Sequence, residues 1–497
     1  MTAPSLWPFQ ADLLGRVERA TDAGHNPLVQ LPTGGGKTVC FAELIRRRGG
    51  RALVLAHRTE LVGQAASKLW AAGVEVGIIQ AGVPPTVTAK TQVASVQTLS
   101  SRLQRRAIDL AKFDLVVVDE AHHAVASSWR LILEAFPEAT IVGWSATPAR
   151  GDGRGLGGVF DELIVGPSVS DLMSGGYLVP IRPWAPTAPD LAGVRVQAGD
   201  YSPGQLAERM DKPKLVGDVV MHWLKLAERR RTIVFATGVA HSVHLRDEFL
   251  RAGVLAAHID ASTPAEERKD ILRQFAAGQV EVVCNAMIFT EGFDCSDIGA
   301  IVLARPTKSL PLYLQMVGRG LRQAPNKRDC ILIDHAGAVH AHGFPDDPII
   351  WPLKDDRKVE NVAQRARQAG KAPALCDCPE CGAVRFEGQP CPACGWRPKP
   401  KPKAVTVVEG DLGRVDRARR ADSAGWSDAA KRQFYAELLG YAAERNFKPG
   451  FAYYKFEEKF KAKPTWRNVA PLAPSLETRS WIRSRQIAYA KAKGRAA

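Results

Sequence analysis

Residues 27–45 compress a strand, a glycine loop and a helix into one continuous run, and few folds accept that order. Pro27-Leu28-Val29-Gln30-Leu31 is apolar and strand-like, Gly34-Gly35-Gly36-Lys37-Thr38 follows it, and Val39 to Ile45 reads as helix. A parallel α/β sheet uses this succession to build a phosphate cradle. Gly34, Gly35 and Gly36 let backbone N–H groups turn inward without Cβ clashes. The positive end of the following helix faces the same anion. Lys37 would add charge at the β/γ-phosphates of ATP, and Thr38 would offer a hydroxyl to Mg²⁺. The general pattern has glycine six positions before the lysine, where this chain has Leu31.

Some eighty residues on, Leu115 to Val118 is an unbroken apolar run, as expected of a strand buried on both faces of a parallel sheet. It ends in Asp119-Glu120-Ala121-His122. Doubly wound sheets hold ligands at the carboxyl ends of their strands. Asp119 there suits Mg²⁺ through water, and Glu120 suits the orientation and deprotonation of a water attacking the γ-phosphate. The plain alternative is a pair of solvated acids at a strand end.

Asp119-Glu120-Ala121-His122 resembles the DEAH box of the superfamily 2 DEAD/DEAH-box helicases, and further segments resemble that family's motifs in its order over roughly residues 1–340. Phe9-Gln10 resembles the adenine-reading glutamine motif, with Trp7 where the family more often has Arg. Val54 to Leu61, with Arg58, resembles motif Ia, and Ser95-Val96-Gln97-Thr98 fits motif Ib; the likeness implies that Arg58, Gln97 and Thr98 touch a nucleic-acid backbone. Ser145-Ala146-Thr147 resembles motif III, which couples hydrolysis to strand binding. Thr290-Glu291-Gly292-Phe293-Asp294 resembles motif V, implying a nucleic-acid contact at Thr290 and nucleotide contacts at Gly292 and Asp294. Gln315 to Arg322 resembles motif VI, implying a coupling role for Gln315 and arginine fingers at Arg319 and Arg322. Within the superfamily the chain is most similar to the RadD-type DNA-repair helicases, in the spacing around Gly318-Arg319-Gly320-Leu321-Arg322 and in a cysteine-rich C-terminal extension.

Physical logic agrees. Phosphoryl transfer needs positioning and charge neutralisation, and guanidinium groups match phosphate oxygens. If Arg319 and Arg322 arrive only when two halves close, hydrolysis is gated by closure. Two arginines three apart also share a face on a solvated helix, so spacing alone does not decide between the two readings.

Strand-like runs alternate with helical stretches throughout the first 355 residues: Ala52–Ala56, Leu115–Val118 and Thr140–Trp144, then Thr232–Ala236, Ala256–Ile259, Val280–Cys284, Ala300–Ala304 and Cys330–Ile333. This alternation predicts an α/β fold of two tandem RecA-like parallel-sheet domains with ATP between them. We expect an ATP-binding domain at 1–180, a connector rich in Pro and Ala at 181–205, and a second RecA-like domain at 206–355.

Residues 376–396 carry two CxxC knuckles, Cys378-x-x-Cys381 and Cys391-x-x-Cys394. Their spacing fits a tetrahedral structural Zn²⁺ site in a small ribbon. Cys376, two positions before Cys378, is an alternative first ligand. Cys40, Cys284, Cys295 and Cys330 stand singly in or beside apolar segments and read as buried thiols of a reducing cytoplasm. No run of about twenty apolar residues predicts a membrane span. The first residues also lack the basic and apolar regions of a secretion signal.

An alternating Pro/Lys stretch, Arg397 to Lys403, precedes a basic, mainly helical module at 404–497. From residue 397 onward there are 23 Lys+Arg against 10 Asp+Glu, +13 of the chain's +15. Aromatics interleave with this charge, as in single-strand or junction binders. A module this small also needs most of its rings for its own core. Tyr453-Tyr454-Lys455-Phe456 cannot all face inward from one helix, so one or two rings are expected at the surface. The expected partner is DNA, single-stranded, forked or at junctions, with repair or replication proteins as further partners through the ribbon or the tail. The expected activity is that of an ATP-dependent DNA helicase or translocase in repair, recombination or replication restart. An RNA helicase, a restriction-system motor subunit and an ATP-switched DNA-binding scaffold remain open, because motor contacts go mainly to backbone.

Overall fold

The computed structural model describes residues 5–57, 59–150, 155–186, 189–197, 199–289, 295, 297–354, 359–398, 425–448 and 450–493. The chain divides into two compact units, Met1–Pro400 and Lys401–Ala497.

The first unit holds two parallel sheets. One is built from β1 (Pro27–Gln30), β2 (Ala52–Ala56), β3 (Val76–Ile79), β4 (Thr91–Ser95), β5 (Leu115–Asp119), β6 (Thr140–Ser145) and β7 (Glu162–Val165), in the order β3-β4-β2-β5-β6-β1-β7. The apolar runs alternate between its faces. Val29, Val54, Val117 and Val142 enter one core, while Leu28, Leu53, Leu55, Val116 and Val118 enter the other. Burial on both faces is why β2 and the run Leu115 to Val118 of β5 lack polar positions. The order puts β6 between β1 and β5. The glycine loop after β1 and the acids ending β5 therefore flank Ser145, the last residue of β6.

The second sheet takes β8 (Ile181–Trp184) from within the expected connector. A hairpin of β9 (Val196–Gln197) and β10 (Asp200–Tyr201) follows, and then β11 (Thr232–Phe235), β12 (Ala256–Ile259), β13 (Val282–Asn285), β14 (Ala300–Leu303) and β15 (Cys330–Asp334). Its order is β12-β13-β11-β14-β15-β8. The sheet thus begins earlier than residue 206. Pro183, part of the signal for a connector, lies on the edge strand, where a missing N–H is tolerated. Asp200 ties the hairpin to the second half, accepting hydrogen bonds from Thr307 Oγ1 at 2.9 Å and from the Lys308 amide at 2.7 Å.

The cysteine knuckles do not form a body of their own. They follow a hairpin of β16 (Ile349–Ile350) and β17 (Glu360–Asn361), and Cys378 begins where β18 (Leu375–Asp377) ends, with β19 (Val384–Phe386) returning beside it. Ala383 bridges Trp184 at the end of β8, and the Ala185 amide donates to Gly382 O at 3.3 Å. Cys378 and Cys391, each 3% exposed, pack into the same core as Trp184, Trp223 and Val234.

The second unit is helical among its described residues: Asp428–Glu444, Phe451–Phe460 and Leu476–Lys493. Phe434, Leu438, Tyr441, Ala452, Phe456 and Ile482 form its core. Most of its aromatics are therefore internal, as a small module requires. No described helix is long and apolar enough to cross a membrane.

Candidate active site

The loop after β1 closes on itself because Gly34 and Gly36 hold φ of +90° and +86°, a region open to glycine at no steric cost. A Cβ on Gly36 would run into the side-chain amide of Gln10. Gly36 also caps the helix Lys37–Arg48, so the positive end of that helix opens onto the loop. Leu31, in the place of the usual glycine, is fully buried in the core beneath the loop, with its Cγ only 2.8 Å from where a Cβ on Gly35 would stand. It serves as the floor of the turn beneath Gly35, while Gly34 and Gly36 line the cavity side.

Gln10 spans this loop and its own helix start. Its amide donates to Gly35 O at 2.9 Å, and its carbonyl accepts from the Trp7 amide at 3.0 Å. Beside it Trp7, Phe9 and Tyr177 form a ring cluster with centroids 4.9 to 5.6 Å apart. Tyr177 carried no signal in the sequence, because it is distant in the chain from the glutamine motif.

A cavity of about 210 Å³ brings the predicted groups together: Gly34, Gly36, Lys37, Thr38, Asp119 and Glu120 from the first half, with Arg319 and Arg322 from the second. Lys37 Nζ donates to Glu120 Oε1 at 2.8 Å, with both side chains about seven-eighths buried. Glu120 itself sits at φ +50°, which turns the chain out of the sheet just after β5. Burial raises the carboxyl of Asp119 to about 6, while the Lys37 ammonium pulls in the opposite direction. The donor set is that of a site for a polyphosphate and a hard cation: backbone amides, an ammonium, two guanidinium groups, a hydroxyl and carboxylates.

The two halves meet at this cavity. A Cβ on Gly318 would stand 2.7 Å from Thr33 Cβ, and one on Gly34 would stand 2.7 Å from Leu178 Cδ2 and 3.3 Å from Arg322 Cγ. A polar chain leads away from it. His122 Nδ1 lies 3.5 Å from Glu120 Oε2 and 3.2 Å from Ser145 Oγ. Ser145 Oγ accepts from the Thr147 amide at 3.1 Å, and Gln315 Nε2 of the second half donates to Thr147 Oγ1 at 3.0 Å. Ser145, Thr147 and Gln315 are thus in one network with Glu120.

Of the described residues, Gln97 and Thr98 are not brought to the cavity. Gln97 and Thr98 open the helix Val96–Gln104 at the carboxyl end of β4, where Gln97 is exposed and accepts from Ser95 Oγ at 3.1 Å. Arg58, Thr290, Gly292 and Asp294 lie outside the described residues.

The arginine loop has supports with no local sequence signal. Lys327 Nζ donates to Gly320 O at 2.8 Å and to Arg322 O at 2.7 Å. Burial lowers its pKa to about 8. Leu178 bridges Arg322, and the Val179 amide donates to Leu321 O at 2.9 Å.

The Sγ atoms of Cys378, Cys381, Cys391 and Cys394 all lie within 4.8 Å of one another, and Cys376 is outside that group. Cys378–Cys394 and Cys381–Cys391 are each 3.6 Å apart. Four sulfurs about 2.3 Å from one tetrahedral ion stand about 3.8 Å apart, so the cluster has the dimensions of a Cys₄ zinc site. Burial works against the Cys391 thiolate, and the amides of Cys394 and Ala393 together with the Cys394 and Cys381 thiols bring that thiol down to about 7. Of the single thiols, Cys40, Cys284 and Cys330 are buried and Cys295 is half-buried.

Residues 4–150 match the family described as type III restriction enzyme, res subunit, and residues 211–324 match the helicase conserved C-terminal domain. The chain is 31% identical over 372 residues to a 51.5 kDa protein of a Lactococcus phage, covering 74% of this chain and 77% of that protein. It is 33% identical over 383 residues to a Saccharomyces cerevisiae protein provisionally named ATP-dependent helicase IRC3, covering 71% of this chain but only 55% of the yeast protein. Among solved structures, a fragment provisionally assigned as the HsdR subunit of a Vibrio vulnificus type I restriction enzyme superposes with a TM-score of 0.53. The identity is 24%, over 68% of this chain and 65% of that one. A type ISP restriction-modification enzyme, LlaBIII, superposes at 0.51 with 15% identity, over 67% of this chain and 28% of its own. These likenesses are of fold.

Proposed function

The chain belongs to superfamily 2 of the helicases and is an ATP hydrolase of that type; from this premise we propose that it is a motor that couples ATP hydrolysis to movement on, or remodelling of, DNA. The observation that carries the reading is the single cavity shared by Lys37 and Glu120 of one half and Arg319 and Arg322 of the other. In this mechanism the loop amides and Lys37 hold the phosphates. Thr38 and Asp119 would hold Mg²⁺, which when bound neutralises phosphate charge. Glu120 orients the attacking water and takes its proton. Arg319 and Arg322 stabilise charge that develops on the transferred group. The chain from Glu120 through His122, Ser145 and Thr147 to Gln315 gives the cavity a mechanical link to the second half. DNA as substrate is supported by the +13 carried beyond residue 396, since a concentrated basic surface favours phosphate. For the cellular role we propose repair, on the resemblance of the Gly318 to Arg322 spacing to RadD-type helicases. The restriction-type match at residues 4–150 favours a second reading, the motor subunit of a restriction system.

One assay tests the proposal: ATP turnover with single-stranded, duplex and forked DNA and with RNA, followed by unwinding on the best of them. DNA is expected to stimulate and RNA not to. Glu120→Gln is expected to bind ATP as the parent does and to turn over about 10²–10⁴-fold more slowly. RNA stimulation equal to that of DNA would overturn the choice of substrate, and parental turnover in Glu120→Gln would move the general base elsewhere.

Lys327 acts in this scheme as a positioning residue, through the carbonyls on either side of Leu321. Lys327→Met is expected to lower kcat about tenfold, the effect of roughly 1.4 kcal/mol of lost orientation, with ATP affinity unchanged. Lys327→Arg should recover part of it. A rise in KM with parental kcat would instead make Lys327 a nucleotide-binding residue.

The four thiols fit a structural zinc ion, and we assign it to Cys378, Cys381, Cys391 and Cys394.

A further inference from the structure

The C-terminal unit has used most of its aromatic rings in its core, and the exceptions are adjacent. Tyr454 is 68% exposed and Phe447 40% exposed. Phe447 stacks on Phe451 with centroids 4.6 Å apart and planes at 29°, and Phe451 stacks in turn on Tyr441 at 6.1 Å and 24°. Phe451 and Tyr454 are three apart on the helix Phe451–Phe460, so they share a face. The ring of Tyr454 leans back over the turn: its Cε2 stands 3.2 Å from where a Cβ on Gly450 would be. Phe447 and Phe451 therefore form a stacked pair, and Tyr454, edge-on to Tyr453 with centroids 5.5 Å apart, adds an exposed ring one turn along the same helix face.

The turn that carries these rings is built and held. Asn446 sits at φ +52°, the Phe447 amide donates to Ala442 O at 2.9 Å, and the Phe451 amide donates to Lys448 O at 2.9 Å. Arg445 and Lys448, both exposed, flank Phe447. An exposed ring held by a hydrogen-bonded turn loses little freedom on binding, and cations beside it favour an anionic ligand. Core packing accounts for Tyr441 and most of Phe451. It does not account for Tyr454, which leaves most of its surface to solvent.

We infer that Phe447, Phe451 and Tyr454 form a platform on which bases of single-stranded DNA stack, with Arg445 and Lys448 meeting the adjoining phosphates. The inference rests on the reading of DNA as the substrate and adds to it a site, a strand state and a mode of contact. Stacking needs unpaired bases, because bases in a duplex already stack on their neighbours. Flanking cations favour a polyanion, and single-stranded DNA supplies both phosphates and open base faces.

The test uses the full chain with a 20-nucleotide oligo-dT, an abasic strand with the same number of phosphates, and a duplex of equal length. The parent should bind oligo-dT more tightly than the abasic strand. Tyr454→Ala should lower oligo-dT affinity about 5- to 100-fold and leave the abasic strand and the duplex unaffected, while Tyr454→Phe retains the parental preference. Because Tyr454 is exposed, the variant should melt as the parent does, and Phe447→Ala serves as a second variant. Equal parental affinity for oligo-dT and the abasic strand, or an unchanged oligo-dT affinity in Tyr454→Ala, would overturn the platform while leaving phosphate binding by the tail intact. A chain truncated after Trp396 measures the underlying reading separately. Loss of three or four phosphate contacts should reduce the log–log salt slope by roughly 2–4 units. Unchanged affinity and slope on truncation would show that the tail does not meet DNA, and both readings of it would fall.

Discussion

Arg319→Ala is expected to lower DNA-stimulated ATP turnover by about 10³-fold or more, the usual range for an arginine finger being about 10³–10⁵, while ATP still binds. The expectation follows from where Arg319 sits. It comes from the second half, is 5% exposed, and lines the same cavity as Lys37 and Glu120. Nucleotide held by the glycine loop and Lys37 needs neither arginine, so binding and hydrolysis should separate. Arg322→Ala should fall in the same direction. Gln315→Ala, which removes the donor to Thr147 Oγ1, should leave basal turnover nearly intact and weaken its response to DNA. Single-turnover hydrolysis alongside titration of a fluorescent ATP analogue distinguishes these cases. Parental basal and stimulated rates in both arginine variants would make Arg319 and Arg322 structural residues and end the model of gating by closure.

Cys391→Ser is expected to release one zinc per chain and to lower the melting temperature of the second motor half along with the knuckles. Two CxxC motifs in a short segment suggest a ribbon with a core separate from the motor. The structure gives Cys378 and Cys391 to the core of the second sheet and pairs Ala383 with Trp184 on its edge strand. Zinc binding in small Cys/His sites is worth about 10–16 kcal/mol, comparable with the roughly 5–15 kcal/mol that holds a whole domain folded. Losing even part of it should therefore be felt across the shared core. Chelation of the parent should reproduce the effect, and Cys376→Ser, outside the cluster, should not. Elemental analysis and thermal melting with and without chelator are the measurements. A Cys391→Ser chain that has lost its zinc yet melts like the parent would mean that the knuckles ride on the motor without supporting it.

The parts legible in the sequence share one property: their determinants lie within a few residues of one another. The glycine loop is legible because Gly34 and Gly36 take backbone angles that few other residues accept, directly before the helix that Lys37 begins. The parallel strands are legible because β2, β5, β11 and β13 to β15 are buried on both faces and so are written as largely apolar runs. β8 was missed for the opposite reason, since an edge strand with Pro183 reads like a linker. The cysteine cluster is legible because each knuckle is a four-residue turn, although only convergence of the sulfurs separates Cys378 from Cys376.

By itself, then, the sequence determined the family and the doubly wound architecture, and it singled out the residues proposed for phosphate chemistry and metal binding. Tertiary structure decided what those residues touch. Strand order set β6 between β1 and β5, so that Ser145 and Thr147 link Glu120 to Gln315, 168 positions beyond Thr147. It also put Leu178 and Lys327 around the arginine loop, and the knuckles onto the edge of the second sheet. Local conformation is governed by sterics and hydrophobic period over a few residues. A side-chain contact between distant segments depends on which strands become neighbours, and that is settled only when the apolar faces of the whole chain are buried together.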